Sequence, residues 1–247
     1  MSRSPLFLAK NVSKRFGGVR ALNGVTISVE RGSLTLLMGP NGSGKTTFIQ
    51  VASGLLAPEE GRLFFEGRDI TPYPPHLRFK LGITSTFQTP RLFPSLSVIE
   101  NVLLAAQGDR GFLGSLRGDE EEVVERAFEV LRTLSLDGVW DRPASALSGG
   151  QMKLLELARA LVSEPKLLLL DEPLAGVNPA LAGEIMSRLT KACRELGVTV
   201  LMVEHRLDIA LKHADHAYVM HNGSVIAQGA PEEVVENPEV ARAYLGE

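Results

Sequence analysis

Gly39-Pro40-Asn41-Gly42-Ser43-Gly44-Lys45-Thr46 is the stretch that decides the fold of this 247-residue chain. It has the form G-x-x-x-x-G-K-[ST]. An apolar strand, Leu34–Met38, comes before it, and a helix over Thr46–Ser53 follows. Its glycines let the backbone wrap with dihedrals that side chains forbid. The bared amides then point inward at an anion, and the following helix adds the positive end of its dipole. Lys45 brings a full charge to β- and γ-phosphates, the Thr46 hydroxyl can ligate Mg²⁺, and Thr47 ends the phosphate-holding stretch. The motif predicts a nucleoside triphosphate site and leaves the reaction open.

Working outward, short strands are predicted at Phe7–Val12, Val25–Val29 and Arg62–Phe65, and a mainly helical pattern from Ser97 to Leu136, broken by a glycine-rich loop at Gln107–Gly118. The four acids Asp119–Glu122 suit a solvated first helical turn. Beyond residue 165, strands and helices alternate: strand Lys166–Leu170, helix Pro179–Leu196 capped by Asn178, strand Thr199–Val203, and a helix near Arg206–His213. A hairpin, Ala217–Met220 with Ser224–Gln228, closes around Asn222-Gly223. Strands apolar on both faces and separated by helices predict a mostly parallel sheet covered by helices, with an antiparallel β portion at the N-terminus and a helical insertion at about 88–162.

Composition fits one large domain. Hydrophobic residues make up 44% and the net charge is −3, which argues against non-specific nucleic-acid binding. The single cysteine, Cys193, can form no internal disulfide and reads as a packing residue. Met1–Lys10 lacks the pattern of a signal peptide, and no apolar run reaches the length of a membrane span. The expectation is a soluble chain that meets a membrane only through partners. His213, His216 and His221 lack convincing ligand spacing for a metal cluster.

Two further motifs carry chemistry. In Leu167-Leu168-Leu169-Leu170-Asp171-Glu172 an apolar strand delivers a carboxylate at its C-terminal end, where open α/β sheets bind ligands. Asp171 fits the Mg²⁺-holding acid of phosphate-loop enzymes, and Glu172 is placed to polarise an attacking water. Leu147-Ser148-Gly149-Gly150-Gln151 opens a helix with Ser148 as N-cap and Leu154, Leu157, Ala158 and Leu161 on one apolar face. Such a helix start is a second anion site, although one nucleotide needs only one phosphate loop.

These three motifs, in this order, resemble the ATP-binding subunit of an ATP-binding-cassette (ABC) transporter, over Leu8 to Gly246. The resemblance implies a phosphate-loop (RecA-like) ATPase core over 1–87 and 163–247 and a helical signature subdomain over 88–162. It also implies a head-to-tail dimer, in which Ser148, Gly149, Gly150 and Gln151 of one subunit close on ATP held by the other. Phe16 resembles the aromatic that stacks on adenine, with a core role as the alternative. Gln88 matches the glutamine that reaches Mg²⁺ and the attacking water, and His205 the switch histidine at the γ-phosphate. Asn178 stands where most members carry aspartate. Phe16-Gly17-Gly18, Thr86-Phe87-Gln88, Arg91-Leu92-Phe93, Val98-Ile99-Glu100-Asn101 and the end Ala243-Tyr244-Leu245-Gly246-Glu247 are similar to the longer ATPase subunit of branched-chain amino-acid importers. Urea importers and lipopolysaccharide exporters share part of this pattern. A soluble ABC ATPase is the rival from another class. The importer resemblance implies two permease subunits, a second ATPase subunit, an extracytoplasmic substrate-binding protein reached through the permeases, and no nucleic acid. Arg91, Leu92 and Phe93 are candidates for the permease contact, with local packing as the alternative.

Overall fold

A computed structural model of the chain describes residues 4–86, 92–106 and 120–245. Gln88, Arg91 and the predicted loop Gln107–Gly118 lie outside the described residues. Strands β1 (Phe7–Phe16), β2 (Val19–Val29), β4 (Glu60–Phe65) and β5 (Arg68–Asp69) form an antiparallel sheet in the order β2-β1-β4-β5. Strands β3 (Leu34–Met38), β6 (Ile83–Ser85), β7 (Leu167–Asp171), β8 (Thr199–Val203), β9 (His216–His221) and β10 (Ser224–Gly229) form the second, in the order β10-β9-β3-β8-β7-β6. All its pairings are parallel except the β9–β10 hairpin.

The run of leucines in β7 shows why these strands are apolar throughout. Successive side chains on a strand point to opposite faces. Leu168 and Leu170 join Leu36, Met38, Val200 and Met202 in one core cluster. Leu167 and Leu169 join Leu37, Leu201 and Val203 in the other. The first cluster is completed by helices α3 (Val98–Ala106), α4 (Glu120–Thr133), α5 (Gly149–Leu161) and α6 (Pro179–Glu195). The second is completed by β1, β2 and the helix after the phosphate loop, α1 (Lys45–Ser53). The parallel sheet is therefore buried on both faces.

β1 and β2 run past their predicted ends to a tip at Gly17-Gly18, with register shifts between Ala9 and Arg15 that interrupt the alternation of apolar residues. The expected helix near Arg206–His213 is only α7 (Leu207–Ala210). Helices α8 (Pro231–Val235) and α9 (Pro238–Leu245) follow β10. Asn178 caps α6 as expected: its side-chain oxygen accepts from the Leu181 amide at 3.0 Å, with Pro179 in the first turn. The short helix α2 (Pro75–Lys80) carries an unforeseen feature, the fully buried Arg78. Its guanidinium donates to the carbonyls of Val51 and Ala52 at the end of α1, at 2.7 and 2.8 Å, and to Tyr73 at 2.8 Å. A cation there adds a donor to the last carbonyls of the helix, of which Val51 O also accepts from the Gly54 amide at 3.2 Å, and opposes the negative end of the helix dipole.

Candidate active site

Parallel strands bring their C-terminal ends to one edge, and the chemical motifs gather there. β3 delivers the phosphate loop, β7 delivers Asp171 and Glu172, and β8 delivers Glu204 and His205. The register sets Val203 beside both Leu37 and Asp171. Between these ends lies a cleft of about 350 Å³, lined by Val19, Arg20, Ala21, Asn41, Gly42, Gly44, Lys45, Thr46, Thr47, Glu172, His205 and Asn222.

Gly39 has φ +146°, and a Cβ there would lie 2.1 Å from the Met220 carbonyl oxygen, so only glycine fits against β9. Pro40 follows, and Ser43 is buried; its carbonyl accepts from the Gly223 amide at 3.0 Å, which fastens the loop to the β9–β10 turn. Lys45 is 5% exposed. Its Nζ donates to the carbonyls of Gly39 and Pro40 at 2.8 and 2.9 Å. Burial lowers its pKa, and the nearby Glu172 and Asp171 charges work against that shift.

Asp171 is also buried, and its Oδ1 has no hydrogen-bond partner. Burial is the main cause that raises its pKa, and the Glu172 charge adds to it; Lys45 and a hydrogen bond with Thr46 act in the opposite sense. An unpartnered, desolvated carboxylate oxygen next to a hydroxyl fits a hard divalent cation, and Mg²⁺ bound with phosphates needs few protein ligands. Among the described residues no group of three or more His, Cys, Asp or Glu side chains gathers to hold a metal.

Glu172 takes the left-handed backbone conformation, φ +52°. That is uncommon for a side-chain-bearing residue, and it is held here by the Glu172 amide donating to Val203 O at 3.0 Å. The turn aims the carboxylate into the cleft, where its Oε1 lies 2.8 Å from His205 Nε2. A carboxylate only accepts, so the imidazole N–H donates.

The structure does not bring every expected residue into this cleft. Phe16 is 48% exposed at the hairpin tip, paired with Val19, which lines the cleft while Phe16 does not. Ser148, Gly149 and Gly150 border a second, apolar cleft of about 490 Å³ with Gly176, Val177, Asn178 and Leu181. Gln151 turns back on its own helix. Its Oε1 accepts from the Ser148 amide at 3.0 Å, and Ser148 Oγ accepts from the Gln151 amide at 3.3 Å, a capping box. Two participants escaped the sequence reading. Asn222 read only as a turn residue, yet the hairpin carries it into the cleft wall. Glu204 drew no reading from the sequence, yet it is 2% exposed and accepts three backbone hydrogen bonds. Its one sequence signal was a carboxylate directly after an apolar strand.

The fold and this edge define a phosphate-loop nucleotide-binding protein. The ABC transporter family model matches residues 22–175, and the chain belongs to that family: it is an ATP-binding ATPase whose hydrolysis is coupled to transport. A second model, the branched-chain amino acid ATP-binding cassette transporter, matches residues 224–247. The chain is 52% identical to the probable branched-chain amino acid transport ATP-binding protein LivG of Archaeoglobus fulgidus, over 96% of this chain and 94% of that one. The ADP conformation of MJ1267, an ATP-binding cassette of an ABC transporter, superposes with a TM-score of 0.88 at 43% identity, covering 99% of this chain and 100% of that one. The dimeric structure of the cassette MJ0796 superposes with a TM-score of 0.77 at 29% identity, covering 91% and 98%.

Proposed function

We propose that this chain powers uptake of branched-chain and other hydrophobic amino acids, as an ATPase subunit held at the cytoplasmic face of the membrane. The match of residues 224–247 to the branched-chain transporter model carries the reading. No helix among the described residues is long and apolar enough to cross a membrane. On this reading two permease subunits hold the chain there, a second ATPase subunit pairs with it, and an extracytoplasmic binding protein feeds the permeases. The helical subdomain, described at 92–106 and 120–162, is the part that meets the permeases. Of Arg91, Leu92 and Phe93, Leu92 packs against the core, and Phe93, 46% exposed with the Arg159 guanidinium 5.3 Å from its ring centre, is the one that offers such a surface.

Within the site, loop amides from Gly39 to Thr47 bind the phosphates, and Lys45 exchanges the carbonyls of Gly39 and Pro40 for β- and γ-phosphate oxygens. Thr46, Asp171 and Gln88 would hold Mg²⁺, whose charge neutralises the phosphates. Glu172 orients and polarises the attacking water, and His205 steers that carboxylate and contacts the γ-phosphate. Phe16 stacks on adenine. Ser148, Gly149, Gly150 and Gln151 of a second subunit complete the site. Catalysis on this plan is mostly positioning and charge stabilisation.

The test is a pull-down of the tagged chain from gently solubilised native membranes with ATP present. Two permeases and a second, shorter ATPase are expected. A set with one kind of ATPase would point to an exporter, and recovery without membrane proteins would end the transport reading for this chain.

A further inference from the structure

The loop after Glu172 and the loop after β8 are joined by two side chains. Glu204 Oε1 accepts from the Leu174 amide at 2.7 Å. Its Oε2 accepts from the amides of His205 and Arg206 at 3.0 and 3.3 Å. Arg206 Nη1 in turn donates to the Val177 carbonyl at 2.8 Å. Glu204 is 2% exposed and Leu174 1%. The joint is therefore buried, where an unmet donor is costly and a satisfied network is rigid. One end of it, His205, stands in the phosphate cleft against Glu172, while the other, Val177, lines the second cleft beside Ser148 and Gly149.

We infer that Glu204, with Arg206, is a positioning clamp that fixes His205 against Glu172 and ties that pair to the Gly176–Asn178 loop of the second cleft. The inference rests on the hydrolytic roles proposed for Glu172 and His205. Its chemistry is specific to a carboxylate. Both ends of the Glu204 side chain face backbone N–H groups, so both must accept. Glutamine has the same shape but sets an NH₂ donor against a donor at one end. The clamp then opens either at Leu174 or at His205 and Arg206, and the hydrolytic pair loses its register. Lys45 and the phosphate loop are untouched by the change, so nucleotide binding is spared. A misplacement of about 1 Å in a catalytic group costs up to about 10²-fold in rate.

The experiment measures steady-state ATPase kinetics and ATP affinity for the purified full chain with Mg²⁺ and ATP, as wild type, Glu204→Gln, His205→Ala, Glu172→Gln and the double variant Glu204→Gln/His205→Ala. Glu204→Gln should lower kcat by about 10- to 100-fold and leave the ATP Kd within about twofold. In the double variant it should add less than about twofold to the loss from His205→Ala, because both act through one pair. A purely structural role would instead weaken ATP binding along with turnover, or multiply the two losses, and either result overturns the clamp. Arg206→Gln, a more accessible change, should lower kcat about three- to tenfold with the same non-additivity; it decides the matter if Glu204→Gln does not fold. Wild-type kcat in Glu204→Gln, beside large losses in Glu172→Gln and His205→Ala, would reject the clamp alone. Wild-type kcat in Glu172→Gln and His205→Ala would reject the hydrolytic roles on which it rests.

Discussion

Asp171 is held in the folded protein against its own charge: it is buried, its Oδ1 has no partner, and desolvation is the main cause that raises its pKa. Because the folded-state pKa is raised, its linkage contribution is fully present below the unfolded value and is lost as pH rises through the folded one. At neutral pH the carboxylate is therefore a cost in the nucleotide-free protein. Asp171→Asn should raise the nucleotide-free melting temperature at pH 7 by roughly 2–6 °C, the equivalent of about 1–2 kcal/mol, and this advantage should vanish below about pH 4. The same variant should lose the further stabilisation that Mg²⁺ with ATP gives the wild type. Calorimetric scans with and without Mg²⁺ and ATP check both. Lys45 hydrogen-bonds two loop carbonyls, so its removal takes away a brace of the loop together with the charge proposed to meet the phosphates. Lys45→Ala should weaken ATP binding at least tenfold, about 1.4 kcal/mol or more, by titration calorimetry.

At the scale of elements, the site depends on helix ends. Arg78 meets the last carbonyls of α1 from α2, so the phosphate-loop helix is anchored at the end away from its ligand. Arg78→Ala takes away the side-chain donor of the Ala52 carbonyl and one of the two donors of the Val51 carbonyl, and should cost about 2–4 kcal/mol in urea unfolding; Arg78→Lys, without the planar fork, should recover little of it. The start of α5 is equally constrained. A Cβ on Gly150 would lie 2.4 Å from a Leu181 methyl and 2.8 Å from its Cγ, so α5 approaches α6 through a position with no side chain. Gly150→Ala should cost about 1–3 kcal/mol, and Leu181→Ala in the same chain should return part of that, measured by a double-mutant unfolding cycle. Asn178 caps α6 by a hydrogen bond that does not need the aspartate charge usual in the family.

Over the whole molecule, the phosphate cleft and the Ser148–Gly150 cleft are separate within one chain. One subunit therefore does not enclose the nucleotide between both anion sites. Glu172→Gln with Mg²⁺ and ATP should lose turnover by about 10²–10⁴-fold, keep ATP affinity, and form a dimer in light scattering when mixed with the second ATPase subunit. Nucleotide-dependent mixed dimers would support the paired arrangement; dimers of that variant by itself would make the pair identical, and persistent monomers of both at saturating ATP would sink it.

Much of this was legible in the residues because local rules decided it. The unbroken leucine run of β7, the glycine-rich loop between strand and helix, the Asn178 and Ser148 caps and the Asn222-Gly223 turn each follow from steric and hydrogen-bonding limits of a few neighbouring residues. Their order along the chain was enough to identify the family. The tertiary structure decided the rest. Nothing in the sequence marks Arg78, because its carbonyl partners are 26 and 27 residues away. Glu204 meets one of its hydrogen-bond donors only at Leu174, 30 residues distant. Asn222 became cleft wall only when the hairpin packed on the phosphate loop. The sequence by itself determined which chemical groups the protein carries and on which local elements, since those depend on short-range geometry. Only the tertiary structure decided which groups meet, because parallel pairing sets strand ends distant in sequence on one edge, and buried polar atoms must find partners wherever the fold supplies them.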